Sequence, residues 1–135
     1  MKARGRGQVA IVSSVAGYGG LPTSAAYGAT KAALINMAES LKFDLDKLGV
    51  RIQVINPGFV DTAATASNPF SMPALLQPEE AARRIARGLK SSSFEITFPR
   101  RFTYVLKALK VLPYPAYFAI MNSATKWKKR PLESG

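Results

Sequence analysis

The chain has 135 residues, with 19 Lys and Arg against 8 Asp and Glu, a formal net charge of +11, and neither histidine nor cysteine. Without those two residue types, the usual zinc ligand sets, Cys-His nucleophilic catalysis and Ser-His-Asp hydrolysis lack their ligands and bases. Positive charge of this size points to nucleic acid when a binding motif accompanies it; here the excess falls on helix surfaces and the two ends, so no nucleic-acid partner is expected, and the lack of thiols fits a cytoplasmic location.

The first element is a short β-branched run, Gln8-Val9-Ala10-Ile11-Val12-Ser13-Ser14, which reads as a buried strand. Gly5-Arg6-Gly7-Gln8-Val9-Ala10 spells G-x-G-x-x-A, but it precedes this strand instead of following one and opening a helix, so it fails the context of a phosphate loop. Ser14 ends the strand, where open α/β sheets bind ligands. The turn-rich Gly17-Tyr18-Gly19-Gly20-Leu21-Pro22 then leads into a helix expected from Ala25 to Leu48, with Leu34, Ala38, Leu41, Leu45 and Leu48 as its apolar stripe and Gly49 as its stop. Tyr27 and Lys31 lie four residues apart on that helix and share one face. A positive charge beside a phenol favours its ionised form, and such a phenol can donate or accept a proton in catalysis.

A second buried strand, Arg51 to Ile55, runs into Asn56-Pro57-Gly58-Phe59-Val60-Asp61-Thr62, where Pro57 interrupts regularity and Gly58 admits a close backbone approach. Residues 63–73 read as a substrate-side loop. A helix opens after Pro78, acidic first and basic later as the helix dipole prefers, with Ala82, Ile85, Ala86 and Leu89 as its stripe. Phe94 to Phe98 forms a third strand. Two amphipathic helices follow, the first with Phe102, Val105, Leu106 and Leu109 on one face, the second with Tyr117, Ile120, Met121 and Ala124.

Strand-end Ser14, Tyr27-x-x-x-Lys31 thirteen residues on, the following Ala32-Ala33-Leu34 and the Asn56 to Thr62 turn together resemble the carboxyl-terminal half of a short-chain dehydrogenase/reductase. The resemblance implies an α/β fold, a partial Rossmann-like, doubly wound parallel sheet lacking its N-terminal strands, with extra C-terminal helices. Residues 1–100 would be the C-terminal half of an NAD(P)-binding domain and 101–135 a helical extension. It further implies hydride transfer between NAD or NADP and a small-molecule carbonyl or alcohol, with Ser14, Tyr27 and Lys31 catalytic. Tyr27, Lys31, Pro57, Gly58, Val60 and Thr62 would hold the nicotinamide end of the cofactor, and no metal is required. The pyrophosphate turn and adenine-side strands are not legible, so the chain is expected to start midway through the family's domain and to be inactive alone.

Members of such a family pair through the long helix, so a homo-oligomer through residues 25–48 is expected; a non-catalytic association module using that helix is the alternative. Neither C-terminal helix is long enough to span a bilayer, though a basic amphipathic pair followed by Trp127, Lys128, Lys129 and Arg130 suits peripheral contact with an anionic membrane.

Overall fold

The computed structural model describes residues 1–62, 65, 72 and 74–130. Three strands, β1 (Gly7–Val12), β2 (Val50–Pro57) and β3 (Glu95–Phe98), form one parallel sheet in the order β1-β2-β3. Gly7 to Val12 pair with Val50 to Ile55, and Val54 to Pro57 pair with Glu95 to Phe98. The crossovers are α1 (Ala25–Lys47) and α2 (Pro78–Leu89), and the chain ends in α3 (Arg100–Lys110) and α4 (Tyr114–Thr125).

The central strand β2 is buried on both faces, which explains why it reads as a nearly continuous apolar run, whereas β1, expected to be buried, turns Val9 and Ile11 to α1 and leaves Gln8, Ala10 and Val12 exposed on its other face. Ile52 and Val54 turn to α1, where they pack with Ala38, Ile35, Leu45 and the β1 residues Val9 and Ile11. Ile55, one residue out of phase, joins Ile96, Phe98 and Ala81 beneath α2. Gln53 is the polar exception on that side. It is fully buried, yet its amide donates to the carbonyls of Gly88, Ser91 and Ser93 at 3.2, 3.3 and 2.7 Å and accepts from Gln8 Nε2 at 2.6 Å. A buried amide is tolerated because each of its groups is paired, and here it clamps the end of α2 to the sheet.

Helix α1 begins and ends where expected, and Gly49 stops it with φ of 64°, a conformation that costs glycine nothing. Its stripe is narrower than expected: Ala38 is buried, whereas Leu41 is 40% exposed. The register of α2 also differs. Its core face is Ala81, Ile85 and Leu89, while Ala82 and Ala86 are exposed. Alanines carry too little apolar area to set a face, so the larger Ile85 and Leu89 decide which side is buried. Most of the substrate-side loop expected at 63–73 lies outside the described residues. Among the described residues no helix is long and apolar enough to cross a membrane.

Candidate active site

The site is assembled where β1 runs out beside α1. Ser13, just past β1, donates its N–H to the Ile55 carbonyl at 2.8 Å and its hydroxyl to the Lys31 carbonyl at 2.7 Å, fastening the strand end to the helix. Ser14 is buried and extended, and its Oγ accepts from Ala16 N–H at 3.2 Å, capping the short 3₁₀ turn Val15–Gly17. That bond uses an oxygen lone pair and leaves the hydroxyl proton free to be donated.

Gly17 holds the turn against α1. A Cβ there would lie 2.8 Å from the Lys31 carbonyl carbon, 2.9 Å from the Ala32 nitrogen and 2.8 Å from Ile35 Cδ1. Two of those neighbours are helix backbone, which cannot step aside as a side chain can. Gly17→Ala is therefore expected to destabilise the fold by about 1–3 kcal/mol, as overpacking does, readable as a fall in the urea midpoint with m unchanged.

Tyr27 sits in the first turn of α1 and is 53% exposed. The Lys31 ammonium lies 5.5 Å from the Tyr27 ring centroid and 3.4 Å from the Val12 carbonyl, at the limit of a hydrogen bond. The helical spacing thus delivers the phenol and ammonium together, and the end of β1 supplies the ammonium's anchor. Ser14 and Tyr27 line one cavity of about 950 Å³, whose wall also includes Gly58 and Phe59 from the β2 turn. Lys31 is not part of that wall.

The β2 turn places the remaining expected residues unevenly. Pro57 is the last residue of β2, and Gly58 donates its N–H to the Phe98 carbonyl at 2.8 Å. The space a Gly58 side chain would need is bounded by that same carbonyl and by Pro99 Cδ, both at 3.2 Å, so the close approach observed there is by the β3–α3 junction. Val60 forms an isolated parallel bridge with Leu76, in which the bonds are made by Phe59 and Asp61. Its own carbonyl accepts from Thr65 Oγ at 2.7 Å, and its N–H has no acceptor among the described residues. Thr62 is exposed, with its N–H donating to Thr65 Oγ at 3.0 Å.

A polar cluster next to this site was not legible beforehand. The Tyr18 hydroxyl donates to Glu95 Oε1 at 2.6 Å and lies 3.0 Å from Thr97 Oγ, while Asn56 Nδ2 donates to the same Glu95 oxygen at 2.7 Å. Lys107 of α3 donates to Glu95 Oε2 and stands 5.1 Å over the Tyr18 ring. Burial opposes the charge on Glu95, but the bonds from Lys107, Tyr18 and Asn56 outweigh it and hold the carboxyl below its usual range. Burial, then the bond to Glu95, pushes the Tyr18 phenol well above the ordinary tyrosine range. Asn56 is fully buried and its Oδ1 has no partner among the described residues. The one sequence signal was a carboxylate inside the apolar run 94–98. Its partners come from three other segments, so spacing does not reveal them.

The chain can now be set beside known proteins. The family model for short chain dehydrogenase matches residues 1–71. An uncharacterized oxidoreductase of Myxococcus xanthus is 41% identical over 119 residues, covering 88% of this chain and 47% of that protein. The ketoacyl reductase HetN of Nostoc is 31% identical over 100 residues, covering 71% of this chain and 35% of its own length. The chain thus spans about half or less of the curated relatives it matches. Among solved structures, a short chain dehydrogenase from Burkholderia cenocepacia in complex with NADP superposes with a TM-score of 0.72 at 22% identity, over 96% of this chain and 50% of the other. BdcA in complex with NADPH gives 0.55 at 31% identity, over 67% and 43%. A match of the family model to 71 of the 135 residues, together with the Myxococcus relative across 88% of the chain, shows that this chain belongs to the short chain dehydrogenase family.

Proposed function

We propose that the protein carrying this chain is an oxidoreductase that interconverts a carbonyl and an alcohol with NAD or NADP. The observation that carries the reading is Ser14 and Tyr27 on the wall of one cavity, with the Lys31 ammonium 5.5 Å from the Tyr27 ring centroid. The NADP and NADPH complexes of the Burkholderia dehydrogenase and of BdcA support the cofactor class. The residues here fit such a group: Val60 offers an N–H with no acceptor among the described residues, and Thr62 offers an exposed hydroxyl two residues on. Those two, with Pro57 and Gly58, would hold the nicotinamide, and Lys31 its ribose. When bound, the cofactor supplies or accepts the hydride.

The chain's own residues then manage oxygen and proton. Ser14 donates a hydrogen bond from its free hydroxyl to the substrate oxygen, keeping its own proton, and stabilises the negative charge that grows there. Tyr27 gives that oxygen its proton in reduction and takes it back in oxidation. Lys31 stands beside this phenol, its ammonium 5.5 Å from the Tyr27 ring centroid. Exposure of Tyr27 keeps it in reach of solvent protons.

The decisive measurement is oxidation of NADPH or NADH by the purified protein in the presence of a ketone series; no turnover and no cofactor binding would overturn the reading. Lys31→Met is expected to weaken cofactor binding roughly 10–100-fold, the loss expected for a charged hydrogen bond. Unchanged affinity would remove Lys31 from the site. Pairing of two copies through α1 belongs to the same proposal. It is supported by Met37, Leu41 and Phe43, which are 44%, 40% and 76% exposed on that helix, and sedimentation of a Phe43→Glu variant tests it.

A further inference from the structure

The cavity beside Ser14 and Tyr27 has a wall that the family match does not reach. That match ends at residue 71, whereas much of the lining comes from α3, α4 and the segment after α4. Phe102, Leu106 and Leu109 contribute from α3, and Met121 and Trp127 from the end of the chain. At about 30 Å³ per water, 950 Å³ is room for on the order of 30 water molecules, and this places it at the large end of small-molecule sites. A short ketone would leave most of this apolar surface wet. A long apolar body would cover it.

The charge on the lining is one-sided. Among the described residues that line it, the charged ones are Lys126 and Arg130, with no carboxylate. Neither cation takes part in any of the five ion pairs among the described residues. Arg130 lies 5.7 Å from the Trp127 ring, a contact that steadies a guanidinium without neutralising it. Lys126 is the left-handed residue closing α4, at φ of 53°, so the end of the helix sets the direction in which its side chain leaves.

We infer that this cavity takes a substrate with a long apolar body and an anionic terminus: its carbonyl or alcohol lies at Ser14 and Tyr27, and its anion pairs with Lys126 and Arg130. The inference rests on the oxidoreductase reading for the placement of the carbonyl, and on the cavity alone for the apolar body and the anion. It makes the C-terminal helices the specificity element of the protein.

The test uses two probes of the same length, oxododecanoate and its methyl ester, titrated without cofactor while the emission of Trp127, the chain's one tryptophan, is followed. The carboxylate is expected to bind roughly tenfold tighter than the ester, a difference of about 1.4 kcal/mol. A double variant, Lys126→Gln with Arg130→Gln, is expected to abolish that difference and leave ester binding and the melting temperature unchanged. Equal binding of both probes by the unaltered protein, tighter binding of the ester, or no binding of either would overturn the inference. So would a double variant that still prefers the carboxylate. Turnover is read separately with the same probes and NADPH or NADH: preferential binding of the carboxylate without turnover of any ketone sinks the oxidoreductase reading and keeps the anion site. Turnover of short neutral ketones with no preference for the carboxylate does the reverse.

Discussion

Tyr27→Phe is expected to lower turnover by roughly 10²–10⁴-fold while leaving cofactor affinity within a factor of about two, because it removes the ionisable hydroxyl and almost no volume. Pre-steady-state binding of NADPH and steady-state reduction of the best ketone, measured on the same preparation, separate the two effects. Ser14→Ala should also lower turnover, by roughly 10²-fold, as loss of one donor to a developing oxyanion does. It carries a structural cost that Tyr27→Phe does not, since Ser14 Oγ also caps the Val15–Gly17 turn, and loss of a cap is worth about 1 kcal/mol. A Tyr27→Phe enzyme with near-normal turnover would remove the phenol from the chemistry and leave the Tyr27–Lys31 pair as an ordinary helix-surface contact.

Glu95→Ala is the substitution with the largest expected effect on stability. It leaves the Lys107 ammonium, the Tyr18 hydroxyl and the Asn56 amide without their shared acceptor, and several such losses in a half-buried setting cost about 2–4 kcal/mol. Glu95→Gln tests the charge alone. The Glu95 carboxyl is held below its usual range in the folded protein, so its stabilising contribution is complete above the unfolded glutamate value of about 4.3 and is lost as pH falls through the lower folded value. Melting curves of the parent and Glu95→Gln should therefore be well separated near neutrality and converge on acidification. At the alkaline end Tyr18 acts in the opposite sense. Its phenol stays protonated in the folded state above the range where the unfolded chain ionises, so stability falls as pH rises beyond about 10, and Tyr18→Phe should reduce that decline and leave the part due to Tyr117, whose phenol burial also pushes up. A gap between parent and Glu95→Gln that is independent of pH would show that the cluster holds through shape instead of charge.

Both substitutions reach the same cavity by different routes. Tyr27 lines it directly, whereas Glu95 acts through Lys107, which lies on the helix that also carries Phe102, Leu106 and Leu109 into the wall. Loss of Glu95 is thus expected to loosen α3 and raise KM for long substrates more than it lowers kcat, and Glu95→Asp should restore part of the effect.

Much of this molecule is legible along the chain because its determinants are local. The strands expected at 8–14 and 51–55 are observed at 7–12 and 50–57, the second running on through the expected Asn56-Pro57 turn because β3 pairs with it, and the long helix from Ala25 and its stop at Gly49 follow from periodicity and a glycine that takes a positive φ. Tyr27 and Lys31 share a face because a helix repeats every 3.6 residues, and Ser14 stands at a strand end because the apolar run stops there. The resemblance carried by those residues and the Asn56 to Thr62 turn leads to the same family as the match over residues 1–71. What required tertiary structure has contributors far apart in sequence. The Glu95 cluster joins residues 18, 56, 97 and 107, and the burial of Gln53 depends on carbonyls about forty residues away. The faces of α2 and of the C-terminal helices are set by what packs on them: on the expected apolar face of α4 Tyr117 and Met121 are buried while Ile120 is 42% exposed, and Phe102 and Leu109 of α3 border the cavity. Periodicity identifies an apolar face, but whether it meets protein, substrate or water depends on which distant segment lies opposite, and that is decided only when the sheet brings the segments together.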